Sequence, residues 1–312
     1  MPIHLKKYFD RIHYKGSTNV SVETLKGIHL AHVFSIPFEN LAIHEPHNIN
    51  NPADFISLDE DAIFKKLVTD KRGGYCHENN ELLALVLTEL GFKVDRLAAR
   101  VLTAPNLPIS HKFLMVTIDE KPWLADVGFG GYGLFEPIPL IVDQEFNQYD
   151  DRYKLIRENE KTILQIYLKQ SWKNLYEFTG ESLRPVDFAP MNYYVSHHPD
   201  SIFVKNRISV LPMPEGRLIL MNDNLKLVNH GEEKNIPWQE SGAYHEMLAE
   251  RFGISFPEKL LSKDKNSIAA VPENAGTRNT TNSWCHLFSK AVVGIGLAST
   301  TYIANQIYHN SR

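Results

Sequence analysis

Cysteine is nearly absent from this chain of 312 residues, with Cys76 and Cys285 the only two. A disulfide framework needs more, so the count points to a reducing, cytoplasmic compartment. The opening stretch MPIHLKKYFDRIHY carries charge throughout and lacks the apolar run of a secretory signal. The sequon at Asn279 is therefore expected to stay unmodified. Neither sign of charge dominates. A net charge of −4 gives no bulk reason to expect nucleic acid or a membrane surface as a partner. Long hydrophobic runs are missing too. The tail segment AVVGIGLASTTYIANQI is short for a span and contains Ser, Thr, Asn and Gln, so it reads as a docked or loosely ordered terminal helix. His29 with His32, and the pair His197–His198, have no companion ligands at zinc spacing, so no metal site is expected. No repeat is visible, and VGFGG at 127–131 is not a GxGxxG at a strand-to-helix turn, which argues against a dinucleotide.

What is present changes character along the chain. Residues 1–90 read as helical. Ser21 caps a segment with apolar positions at Leu25, Ile28, Ala31 and Val33, and Pro37 stops it. Ser57 and Glu60 read as a capping box ahead of Ile63, Phe64, Leu67 and Val68. A third helix follows Cys76, with Leu82, Leu83, Val86, Leu87 and Leu90 on one side and Gly91 ending it. Across 91–189 the period shortens. FKVDRLAARVL, KFLMVTI, PWLADVGF, YKLIRE, TILQIYLK and NLYEFT predict an antiparallel sheet or barrel. Residues 190–257 mix the strands NRISVL, RLILMN and LKLVN with a helix expected from Trp238 to Phe252. Residues 258–312 form a polar linker and then the tail, whose Cys285 reads as structural or incidental.

The rare thiol sits in RGGYCHENN, after two glycines and at a predicted helix start. A helix N-terminus carries orphan N–H groups and a partial positive charge, and it favours an anion. Gly73 and Gly74 allow a sharp turn and a close approach by substrate. On its own residues Cys76 is explained equally well as a buried structural cysteine. A thiol nucleophile also needs a base, and the base an orienting acceptor. In ISHKFLMVTIDEKPWLADVGFGG, His111 opens one strand and Asp126 closes the next. A Glu120–Lys121 loop would set Asp119 against Pro122 and His111 against Gly130. Asp126 then shares a face with His111, four residues from its opposite number. Each residue has a plainer alternative, His111 as a surface polar group and Asp126 as a turn cap. The small residues Gly128, Gly130 and Gly131 would let backbone N–H groups approach a ligand, or would simply make a turn.

Taken together, YFDRIHY, IPFENL, RGGYCHENN, the His111 segment, DVGFGG and NYYVSHHPDSIF resemble blocks of the arylamine N-acetyltransferase family, in the same order, over residues 1–257. The resemblance implies an α+β fold: an N-terminal helical bundle, an antiparallel β-barrel and a C-terminal α/β lid around a cysteine-protease-like Cys-His-Asp core. It implies acetyl transfer from acetyl-CoA, a co-substrate rather than a tightly bound cofactor, to an arylamine or hydrazine nitrogen through an acetyl-cysteine. Carried over, Cys76 is the nucleophile, His111 the base and Asp126 the orienting acid. Phe38, Ser110 and Phe129 would line the acceptor side, and Gly128, Gly130 and Gly131 the donor side. Arg72 and Asn80 would brace the Cys76 loop. His77 departs from the family's usual aromatic or aliphatic residue after the cysteine. Amide synthases of the same fold and thiol hydrolases or transglutaminase-like enzymes share the same three residue types. A binding protein with a lapsed site is the reading outside enzymology.

Overall fold

The structure, a computed structural model, describes residues 3–45, 56–238 and 244–256. Cys285, the Asn279 sequon and the apolar tail lie outside the described residues.

Helices α1 (Leu5–Arg11) and α2 (Val22–Ser35) open the chain. Ser21 caps α2 as expected, its side chain accepting from the Thr24 N–H. Helix α3 (Glu60–Phe64) runs into one π turn over Lys65–Thr69. Its cap differs from the expectation: the Asp59 carboxylate accepts from the Ala62 N–H at 3.0 Å, and Ser57 holds the Asp59 N–H instead. Both Ser57 and Asp59 are capping residue types, and the helix takes the later one. Asp59→Ala is expected to lower stability by about 1 kcal/mol, and Ser57→Ala by less, in a denaturant titration. Helix α4 (Cys76–Glu89) starts at the thiol, and Gly91, with φ of 90°, turns the chain out of it.

The barrel sheet follows as β2 (Lys93–Val101), β3 (Ile109–Ile118), β4 (Lys121–Ala125), β5 (Ile138–Pro139), β6 (Glu145–Gln148), β7 (Asp151–Glu158), β8 (Lys161–Leu168), β9 (Ser171–Phe178) and β10 (Ser182–Leu183). Their order is β5-β4-β3-β2-β9-β8-β7-β6, with β10 also on β2. Val142, just after β5, bridges back to Leu155 of β7, so the sheet curls until it nearly closes. Inward positions such as Leu97, Phe113, Leu164 and Tyr176 fill the barrel. The opposite face of β3 and β4, with Leu114, Val116, Ile118 and Ala125, packs under α1, α2, α3 and α4. This alternation gives β3 and β4 one side for the barrel core and one for the helices.

The β3–β4 hairpin corrects the expected register. Ile118 pairs with Lys121, so the turn is Asp119–Glu120, both at positive φ, as a two-residue hairpin loop requires. Continued past the end of β4, this register sets Gly128 across from His111 and leaves Asp126 two residues away. The shift keeps the parity of the face and shortens the diagonal.

The second sheet has the order β1-β11-β12-β13-β14. Its strands are β1 (Phe38–Glu39), β11 (Ile208–Met213), β12 (Gly216–Met221), β13 (Asn224–Asn229) and β14 (Glu232–Asn235). Strand β1 comes from the N-terminal region, so residues 38–39 stitch the two ends of the chain together. Helices α5 (Ala189–His197) and α6 (Ile202–Lys205) precede this sheet. Helix α7 (Tyr244–Phe252) packs Met247, Leu248 and Phe252 on Leu218, Leu220 and Leu225. Trp238 is not helical, and the described part of the expected helix begins at Tyr244.

Candidate active site

Cys76 is the first residue of α4 and is buried. Its loop is held by close backbone packing. The Gly74 N–H donates to the Pro37 carbonyl at 3.2 Å, and the Glu39 N–H to the Gly74 carbonyl at 2.9 Å. A Cβ on Gly73 would stand 2.3 Å from the Pro37 oxygen, so only glycine fits there. Arg72 ties the loop in a second way. Its guanidinium reaches Glu39 at 3.2 Å and Glu45 at 2.7 Å and lies on the Phe256 ring.

His111 and Asp126 meet as the hairpin geometry requires. His111 Nε2 and Asp126 Oδ2 are 2.8 Å apart and fully buried. The imidazole is boxed by Phe129, Tyr176 and Phe113, with ring centroids at 5.2, 5.0 and 6.3 Å. Burial alone would push His111 down. The Asp126 charge and hydrogen bond outweigh it, joined by the Cys76 hydrogen bond and charge, and hold the imidazole up at about 10. Cys76 Sγ also approaches the Ser110 carbonyl, at 4.0 Å. Burial pushes the Asp126 carboxyl up, but the imidazolium and the hydrogen bonds from His111, Asn80 and the Gly128 N–H pull it below its ordinary value.

Asn80 joins the two halves of the site. Its Nδ2 donates to Asp126 Oδ1 at 3.0 Å and to the Lys112 carbonyl at 2.7 Å, while its Oδ1 accepts from the Val127 N–H at 3.0 Å. One side chain on α4 thus fixes the carboxylate and the start of the following loop. Gly128 lies against Cys76 itself. An added Cβ would stand 2.7 Å from Cys76 Cα and 2.7 Å from Asn80 Nδ2. Its N–H is already given to Asp126 Oδ1, so what Gly128 offers a ligand is space. Gly130, at φ of 71°, lies under the Phe38 ring.

Phe38, Phe129 and Gly131 come together around an apolar cavity of about 10 Å³, with Ile202 and Phe203 opposite. Ser110 lines an adjoining cleft of about 70 Å³, shared with Ala104, Leu107 and Tyr194. Ile202 and Phe203 border both spaces. Among the described residues no group of three or more His, Cys, Asp or Glu could hold a metal, and no helix is long and apolar enough to cross a membrane.

All five residues of the polar run His77-Glu78-Asn79-Asn80-Glu81 are buried, which their polar side chains do not announce in sequence. His29 was visible only as a histidine without partners. In the structure its Nδ1–H donates to the Phe135 carbonyl at 2.9 Å, and its Nε2 accepts the Asp126 N–H at 3.1 Å. It clamps both ends of the loop that carries Gly128 and Phe129, and only the neutral ring can do so. Burial holds His29 down at about 4 and His32 at about 3. The unfolded chain takes up those protons near pH 6.5 while the folded chain does not, so this stability is complete above 6.5 and is lost as pH falls toward 4. His111 works in the opposite direction: its contribution is full below 6.5 and lost as pH rises toward 10. Denaturant titrations are expected to show an optimum near neutrality, with the His29–His32 pair accounting for a loss on the order of 3 kcal/mol between pH 6.5 and 5.

The N-acetyltransferase family profile matches residues 21–261. The arylamine N-acetyltransferase of Escherichia coli is 35% identical over 257 residues, which is 80% of this chain and 88% of that protein. The structure of arylamine N-acetyltransferase from Salmonella typhimurium superposes with a TM-score of 0.76 at 31% identity, covering 83% of this chain and 96% of that one. That of the Mycobacterium marinum enzyme in complex with CoA gives 0.75 at 34% identity, covering 82% and 96%. With the expected α+β architecture in place and relatives matched over most of its length, the chain belongs to the arylamine N-acetyltransferase family.

Proposed function

We propose that this protein transfers an acetyl group from acetyl-CoA to the nitrogen of an aromatic amine or hydrazine, with Cys76 carrying the group between them. The observation that carries this reading is the buried His111–Asp126 pair at 2.8 Å beside a thiol at a helix start. The thiol hands its proton to the imidazole, and the resulting anion attacks the thioester carbonyl. The new S–C bond forms, the bond to the CoA sulfur breaks, and the imidazolium proton goes to the departing thiolate. The amine then attacks the acetyl-Cys76 carbonyl. It passes its proton to His111 as the sulfur leaves, and the imidazolium gives that proton to the sulfur, so the thiol and the neutral ring are restored.

Phe38, Phe129 and Ser110 line the acceptor side, where flat apolar walls suit an aromatic ring. Gly128, Gly130 and Gly131 leave room for the acyl donor. In this reading residues 1–90 present the nucleophile, 91–189 carry base and acid, and 190–257 cover them. The compartment in this reading is the cytoplasm, where thiols stay reduced. Mixing the protein with acetyl-CoA and no amine tests the reading: intact mass is expected to rise by one acetyl group, and adding an arylamine to remove it. Double-reciprocal plots in the two substrates are expected to be parallel. Intersecting lines with no mass gain would mean direct transfer without a covalent carrier.

A further inference from the structure

Strand β3 places its even-numbered residues toward the helices. Leu114, Val116 and Ile118 fill the core beneath α4, as an amphipathic strand should. The fourth residue in that row is Lys112, which is only 2% exposed. A charged side chain in an apolar row breaks the local pattern, and such breaks gather at functional sites. The ammonium donates to Glu81 Oε2 and sits 4.5 Å from the centre of the Phe188 ring. Glu81 also receives Arg96 of β2 through both oxygens, at 2.8 and 2.6 Å. Arg96 pairs with Leu114 across the sheet, so the two cations are diagonal neighbours on one face. Their carboxylate projects from α4, five residues after Cys76.

Lys112 directly follows His111. Its carbonyl accepts from Asn80 of α4, and its side chain ends on Glu81 of the same helix. The base's strand is thus fastened to the nucleophile's helix by both the backbone and the side chain of one residue. Burial pushes the Lys112 ammonium down, and the charges of Glu81 and, more weakly, Cys76 push it back. A buried ion cluster is a poor source of stability, since apolar replacements are often as stable or more so. What it supplies is one fixed register.

We propose that Lys112 is a positioning residue for the reaction: its buried pairing with Glu81 sets α4 against β3, and so sets the Cys76 sulfur against the His111 ring. The proposal rests on the reading of Cys76 and His111 as the reacting pair. Single-turnover acetylation by acetyl-CoA is the direct readout, with thermal unfolding as the fold control. Lys112→Met is expected to slow acetylation roughly 10- to 100-fold at a temperature where the variant is folded, with little change in KM for acetyl-CoA, because misplacement acts on the chemical step. Lys112→Arg, which keeps the charge, is expected to recover most of the rate. If Lys112→Met fails to fold, the double variant Glu81→Leu with Lys112→Met removes both buried charges and is expected to fold and to be equally slow. A folded variant of either kind acetylated at the parent rate overturns the proposal, as does an arginine variant as slow as the methionine one. If the parent protein itself gains no acetyl group, the reading of Cys76 fails instead. Iodoacetamide labelling of Cys76, read by peptide mass, then reports the pairing with His111 alone. Equal labelling rates in parent and Lys112→Met would also refute the positioning role.

Discussion

Cys76→Ser is expected to abolish acetyl transfer, by about 10⁵-fold or more, while leaving the fold intact. Oxygen and sulfur differ little in size, and the site is a packed helix start that a hydroxyl fills without strain. The loss comes from the proton. Against burial, Asp126 and, more weakly, Cys76 itself hold His111 up at about 10, so the ring is a strong acceptor for the proton of the thiol. A thiol gives its proton to such a partner and its sulfur attacks as an anion. A serine hydroxyl holds its proton far more tightly than a thiol, and the same ring does not draw it off. Intact mass after exposure to acetyl-CoA checks this: the parent gains an acetyl group and the serine variant does not. A serine variant that still carries the group would show that another residue is the acyl carrier.

Asp126→Asn is expected to slow turnover by about 10³- to 10⁴-fold. The structure fixes which way the new amide must point. Oδ1 of Asp126 accepts from Asn80 Nδ2 and from the Gly128 N–H, both at 3.0 Å, so only the carbonyl oxygen of an asparagine can take that place. The NH₂ group is then aimed at His111 Nε2, which has to accept rather than donate. That forces the ring proton onto the other nitrogen, on the side of the sulfur. The largest influence holding the imidazole up disappears as well, leaving burial to push it down. Both changes deprive the thiol of its proton acceptor. Acetylation should slow in a rapid-quench measurement with little change in substrate affinity. Unchanged turnover in a folded variant would remove Asp126 from the chemistry.

Short-range signals in the sequence carried much of this architecture. Ser21, Pro37, Gly91 and the apolar stripe after Cys76 mark helices α2 and α4 because capping and periodicity act within a few residues. The six main barrel strands follow from their β-branched and aromatic content. The hairpin was off by one residue because Asp119 and Glu120 adopt positive φ, a conformation that neither residue type advertises. The shared face of His111 and Asp126 survived that error, since it depends only on parity. Other features were illegible because they depend on distant partners. Nothing in Phe38–Glu39 announces a strand that pairs with Ser209–Val210. Nothing in the polar run after Cys76 says that Lys66, Arg96, Lys112 and Asp126 will close over it. His29 appears as a clamp only once Phe135 has folded back to meet it.

Cys76, His111 and Asp126 come from a helix start, a strand and the end of the next strand, and a lone glycine lies flat against the sulfur-bearing residue. None of those neighbourhoods exists until the curled sheet has docked on the helices. Sulfur reactivity is therefore a clock for maturation. A newly made chain would carry a sluggish, ordinary thiol, and the burst of reactivity would mark the moment when helix and barrel lock together.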